Sequence, residues 1–212
     1  MTRGRFIAFE GGEGAGKSTQ ARLLADTLRA RGIDVLLTRE PGGTPGAEAI
    51  RNLLLDPPGE GWGAEAEALL FAAARADHVA RAIRPALDAG SWVISDRFVD
   101  SSRAYQGGGG GVSDIDVLAL HRVGSGGLLP DLTLLIEIAP EVATARLARR
   151  DGGQSDAIGG RDAIYHAEVA AAFAAIAQDE PSRFARIRSD DGPEETHALV
   201  MQAIAPLFEE HQ

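Results

Sequence analysis

Cysteine is absent from the 212 residues, which excludes disulfides, thiolate nucleophiles and cysteine-based zinc sites. Lysine is nearly absent: of 21 basic residues, all but Lys17 are arginine. No stretch approaches the roughly 20 apolar residues needed to span a bilayer. The first ten residues lack the long apolar core and small-residue cleavage site of a secretory signal. A soluble, cytoplasmic protein with no membrane partner is expected. Positive charge is in deficit overall, with a formal net charge of −10. That disfavours a nucleic-acid polymer as partner but permits a small phosphorylated ligand wherever arginines converge. His78, His121, His166, His197 and His211 show no metal-ligand spacing and read as surface or core residues.

What is present is ordinary globular composition, 44% hydrophobic and 25% charged, enough for one domain over residues 1–212 with a substantial core. Strand and helix patterns alternate. Apolar runs at 6–9, 33–38, 92–95 and 132–138, with a short one at 184–188, read as strands. Helical periodicity covers 18–31, 46–55, 65–89, 113–124, 140–150, 162–179 and 193–210. Residues 39–45 are too rich in Gly and Pro for regular structure, and the five glycines of 107–111 read as a mobile or closely packed loop. Residues 151–161 read as a flexible flap. This alternation predicts a parallel sheet with helices on both faces.

Gly11-Gly12-Glu13-Gly14-Ala15-Gly16-Lys17-Ser18 satisfies the pattern G-x-x-x-x-G-K-[ST], between an apolar strand and a helix as that pattern requires. Glycines let backbone N–H groups turn inward around a phosphate, and the helix adds its positive end. Lys17 reaches β- and γ-phosphates, and the Ser18 hydroxyl suits Mg²⁺. The chain's one lysine therefore sits where nucleoside triphosphate chemistry needs it. A guanine-reading Asn-Lys-x-Asp motif is impossible without a second lysine, so a regulatory GTPase is disfavoured. Another small-molecule kinase and a non-catalytic ATP-driven switch remain as alternatives.

Three further motifs follow in order: Thr38-Arg-Glu-Pro-Gly-Gly43, Phe71-Ala-Ala-Ala-Arg75 and Asp96-Arg-Phe-Val-Asp-Ser-Ser-Arg-Ala-Tyr-Gln-Gly107. Together with Glu10–Thr19 they resemble the bacterial thymidylate kinases nearly end to end. The resemblance implies a P-loop nucleoside monophosphate kinase fold, an α/β protein with a five-stranded parallel sheet flanked by helices and a short lid at about 149–161. It implies ATP and Mg²⁺, dTMP as acceptor, and a homodimer. Gly11 to Thr19 would hold ATP, with Ser18 and Asp96 near the metal; Asp96 either joins the metal shell or orients Arg97. Arg97 would hold the acceptor phosphate. Phe71 would stack on thymine, Arg75 would bond a base carbonyl, and Ser102 and Gln106 the base edge. Tyr105 would pack where a ribose 2′-hydroxyl would sit. Glu40 and Arg51 would line the dTMP pocket, and Glu13 would lie near the acceptor's sugar and phosphate.

The motifs break in two places. Gly110 stands where the family often has Arg, and Asp156-Ala157-Ile158-Gly159 replaces the usual Asp-Arg-x-Glu of the flap. A flap arginine neutralises charge on the transferred phosphoryl group. Arg149, Arg150 and Arg161 flank the flap; Arg161, preceded by glycines, is the favoured substitute, while Arg149 and Arg150 also suit a solvated helix end.

Overall fold

The computed structural model describes residues 3–151 and 157–209, except the side chains of 149–151 and 209. Five strands, β1 (Phe6–Glu10), β2 (Val35–Arg39), β3 (Trp92–Asp96), β4 (Leu132–Glu137) and β5 (Phe184–Arg188), form one parallel sheet in the order β2-β3-β1-β4-β5. Every residue of β1 is buried, as expected for the central strand of a sheet covered on both faces. Its side chains alternate between two cores. Ile7 and Phe9 pack with Leu24, Leu28, Ile94, Leu134 and Val200, under α1 (Lys17–Ala30) and α9 (Pro193–Ile204). Phe6 and Ala8 pack with Val79, Ile83, Leu87 and Phe98 on the other face.

Helices α2 (Pro45–Leu55) and α3 (Ala64–His78) follow β2. The pattern at 65–89 is not one uniform helix. Val79–Ile83 widens into a π-helical turn before α4 (Arg84–Asp88), next to Pro85, which lacks the N–H that a regular turn needs.

The largest departure from the sequence reading lies beyond β3. Helix α5 (Val99–Ser102) runs into a π-helical segment, Arg103–Gly109, where no helix is expected from the sequence. The glycine run is closely packed from Gly108 to Gly110. A Cβ at Gly108 would stand 2.4 Å from the Ala172 methyl, and one at Gly109 2.5 Å from the Tyr165 ring. Both partners belong to α8 (Ala163–Asp179). Between that segment and α8 lie α6 (Asp114–Ser125) and α7 (Pro140–Asp151), and a short α10 (Pro206–Glu209) is the last described element.

Strand register positions the site. Phe9 pairs with Asp96 and Glu10 with Leu135, so the turn after β1 lies beside the turn after β3 where the strand order reverses. Open parallel sheets bind ligands at this carboxyl edge.

Candidate active site

The glycine loop leaves β1 at Gly11 with φ 131°, where a Cβ would stand 2.3 Å from the Ile136 carbonyl oxygen. It enters α1 through Gly16, left-handed at φ 97° and without a capping side chain. No acidic residue occupies the first turn of α1. The unbonded N–H groups at this helix start therefore suit an anion. Lys17 Nζ folds back to donate to the Gly12 carbonyl at 2.7 Å. Burial, reinforced by the nearby Arg97 charge, lowers its pKa to about 8.

At the end of β3, Asp96 accepts a hydrogen bond from the Ser18 hydroxyl. A hydroxyl and a carboxylate make an oxygen donor set fitting Mg²⁺, which keeps few protein ligands and takes the rest from phosphate and water. Arg97 is the one described non-glycine residue with positive φ, 70°, a backbone strain of the kind found at functional sites. Its guanidinium spans the gap between strand ends. It donates to the Gly11 carbonyl at 3.2 Å, Ser101 Oγ at 3.0 Å and Tyr105 Oη at 3.1 Å, pairs with Glu13, and lies 4.8 Å from the Tyr105 ring centre. Burial works against its charge, but Tyr105, Glu13, Asp96 and Glu10 outweigh it and hold it more firmly protonated. Beneath, Glu10 accepts from the Phe98 N–H at 2.8 Å and Ser101 Oγ at 2.6 Å. Burial and the neighbouring Asp100 raise its pKa to about 7.

A cleft of about 600 Å³ joins these groups. Its lining includes Glu13, Gly14 and Gly16–Thr19 on the loop side, and Glu40, Arg51, Phe71, Tyr105 and Gln106 on the other, with Asp96 and Arg97 between. Arg75 and Ser102 are not part of the lining. Each is 3% exposed, and Arg75 donates to Ser102 Oγ at 2.8 Å and to Glu40 Oε2 at 2.7 Å. His78 completes this buried layer, its Nδ1 3.0 Å from Glu40 and its Nε2 2.7 Å from Thr38 Oγ1. It is a core histidine, and no cluster of three or more potential metal-binding side chains occurs among the described residues.

The flap expectation meets a different arrangement. Arg161 is turned toward α3 and α8, where it pairs with Glu67 and donates to Tyr165 Oη at 2.6 Å. It lines a separate hollow with Ala157 and Trp62, not the cleft. Asp156 and the side chains of Arg149 and Arg150 lie outside the described residues. A further cation beside the glycine loop is Arg146, which the sequence reading does not single out. Arg146 donates to the Ser189 carbonyl at 2.7 Å, and its Nη1 would stand 3.6 Å from a Cβ on Gly16. Its position on α7, one turn before the flap arginines, is the signal that was available.

This geometry has counterparts. Residues 9–200 match the thymidylate kinase family model. The chain belongs to the thymidylate kinase family. It is 55% identical over 205 residues to the thymidylate kinase of Rhizorhabdus wittichii, covering 97% of this chain and 99% of that one. Against the thymidylate kinase of Bradyrhizobium sp. strain BTAi1 it is 51% identical over 203 residues, covering 95% and 90%. The crystal structure of thymidylate kinase from Ehrlichia chaffeensis superposes with a TM-score of 0.78 at 31% identity, over 95% of this chain and 99% of that one. The chain is thus an enzyme, a nucleotide-binding phosphotransferase with the fold of the thymidylate kinases. No described helix is long and apolar enough to cross a membrane.

Proposed function

We propose that this thymidylate kinase moves the γ-phosphate of ATP onto the phosphate of dTMP within this cleft, in the cytoplasm, supplying dTDP for DNA precursor synthesis. The observation that carries the reading is that Lys17 and Arg97 reach one cleft from adjacent strand ends, close enough that the Arg97 charge helps depress the Lys17 pKa. Two fixed cations suit two phosphorylated substrates. The loop N–H groups from Gly11 to Thr19 and Lys17 hold the donor phosphates; Ser18 and Asp96 would hold Mg²⁺, which when bound neutralises donor phosphate charge. Arg97 holds the acceptor phosphate by its planar fork, kept in place by Tyr105 and Ser101, and Glu13 borders both.

The acceptor phosphate is itself the nucleophile, so positioning and charge neutralisation matter more than a strong base. Phe71 offers a ring face to the base; Gln106 at the wall, with Arg75 and Ser102 behind it, meets the base edge. Tyr105 fills the space of a 2′-hydroxyl, and Glu40 and Arg51 close the pocket. The segment 149–161 acts as a lid that excludes water. Arg146 already stands beside the glycine loop; Arg161 joins it at the phosphates only by leaving Glu67. A homodimer goes with the family, and the exposed Leu69 on α3 and Ile115 and Val123 on α6 are apolar surface that a dimer could cover; light scattering would read its mass. ADP release measured with and without dTMP tests the reading: release that ignores every acceptor would instead favour an ATP-driven switch.

A further inference from the structure

Glu67 on α3 is 6% exposed, and both of its carboxylate oxygens are engaged. Oε1 accepts from the Gln106 side-chain amide at 2.9 Å, and Oε2 accepts from Arg161. An ionised carboxylate only accepts hydrogen bonds. It therefore fixes the Gln106 amide with Nε2 toward Glu67 and Oε1 turned away. Gln106, 1% exposed, lines the cleft, so its unengaged oxygen is the acceptor it offers a ligand, beside the amide's second N–H. Buried surroundings make this orientation costly to reverse, because a flipped amide would set oxygen against oxygen.

Resting on the dTMP reading above, we infer that Glu67 is a positioning residue for base selection: it holds Gln106 so that the pocket takes a pyrimidine edge carrying an N–H donor. Thymine presents N3–H and is accepted. Cytosine presents a lone pair at N3 and meets a second lone pair. The same carboxylate pins the turn at 157–161 to the acceptor side through Arg161, whose guanidinium lies 4.6 Å from the Tyr165 ring centre. Tyr165 Oη in turn donates to the Tyr105 carbonyl at 2.9 Å. Base selection and the seating of the lid's end therefore share one residue.

The test measures Kd for dTMP and for dCMP by calorimetry in the wild type, Glu67→Ala, Glu67→Gln and Arg161→Ala. Releasing the Gln106 amide in either Glu67 variant is expected to shrink the dCMP-to-dTMP Kd ratio about tenfold, whereas Arg161→Ala keeps the ratio because Glu67 still holds Gln106. Glu67→Gln, nearly isosteric, keeps the test open if the alanine variant fails to fold. Equal weakening of both nucleotides in a folded Glu67 variant would overturn the inference and leave the dTMP reading intact. A wild type that does not bind dTMP would instead overturn the reading beneath it.

Discussion

Arg97, at the left-handed position just after β3, pairs with the Glu13 carboxylate of the glycine loop. The pair bridges the two halves of the cleft, so on the proposed assignment the acceptor phosphate would share one guanidinium with Glu13. Glu13 both holds Arg97 in place and adds negative charge that the acceptor must offset. Glu13→Gln keeps the shape and removes the charge. The expected outcome is a kcat about tenfold lower with the melting temperature little changed, the signature of lost transition-state positioning. Unchanged kcat would make Glu13 a solvated loop residue.

The Lys17 pKa of about 8 gives ATP binding a pH dependence. Donor phosphates favour the charged lysine, so its pKa is higher in the complex than in the free enzyme. ATP affinity is then flat below pH 8 and falls as pH rises past it. Folding stability of the free enzyme moves the other way: a lysine with a lowered folded pKa costs stability while charged, and that cost is relieved between pH 8 and the unfolded value of 10.5. Glu10, raised from 4.5 to about 7, contributes stability that is present below pH 4.5 and lost as pH rises through 7. Calorimetric titrations of ATP across pH 6.5–9.5 check the first trend, and the Lys17→Met variant is expected to abolish it.

Arg146 and Arg161 compete for the role of the missing flap arginine. Because Arg146 stands beside Gly16 and Arg161 stands on Glu67, Arg146→Ala is expected to reduce kcat/KM for ATP more than Arg161→Ala, by about tenfold or more. Steady-state kinetics at saturating dTMP decide between them. A larger loss in Arg161→Ala would mean that the lid swings Arg161 onto the phosphates.

Gly109 carries the packing of α8 on the π-helical segment. An alanine there puts its Cβ 2.5 Å from the Tyr165 ring, and the aromatic cluster of Tyr105, Tyr165 and Phe173 leaves the ring little room. Gly109→Ala is expected to lower stability by about 1–3 kcal/mol in urea unfolding, and to weaken dTMP binding through the neighbouring Gln106.

Those contacts also mark where the sequence stops being legible. The five strands, α1 and the glycine loop follow from periodicities and turn residues that act within about ten residues of chain. The π-helical segment does not, because its glycines are ordered by α8, some sixty residues later. Phe71 and Arg75 share a helix face by spacing, yet only Phe71 lines the cleft; Arg75 is drawn inward by Glu40, 35 positions away in the chain. Likewise Arg161 looks free to swing until Glu67, 94 positions earlier, is known to face it.

The most direct measurement is ADP production from ATP and Mg²⁺ by the wild type, with dTMP, dUMP, dCMP, dGMP and dAMP offered separately. The account predicts strong stimulation by dTMP, weaker stimulation by dUMP with its shared N3–H, and little by the other three. Preferential stimulation by dCMP or a purine monophosphate would contradict it.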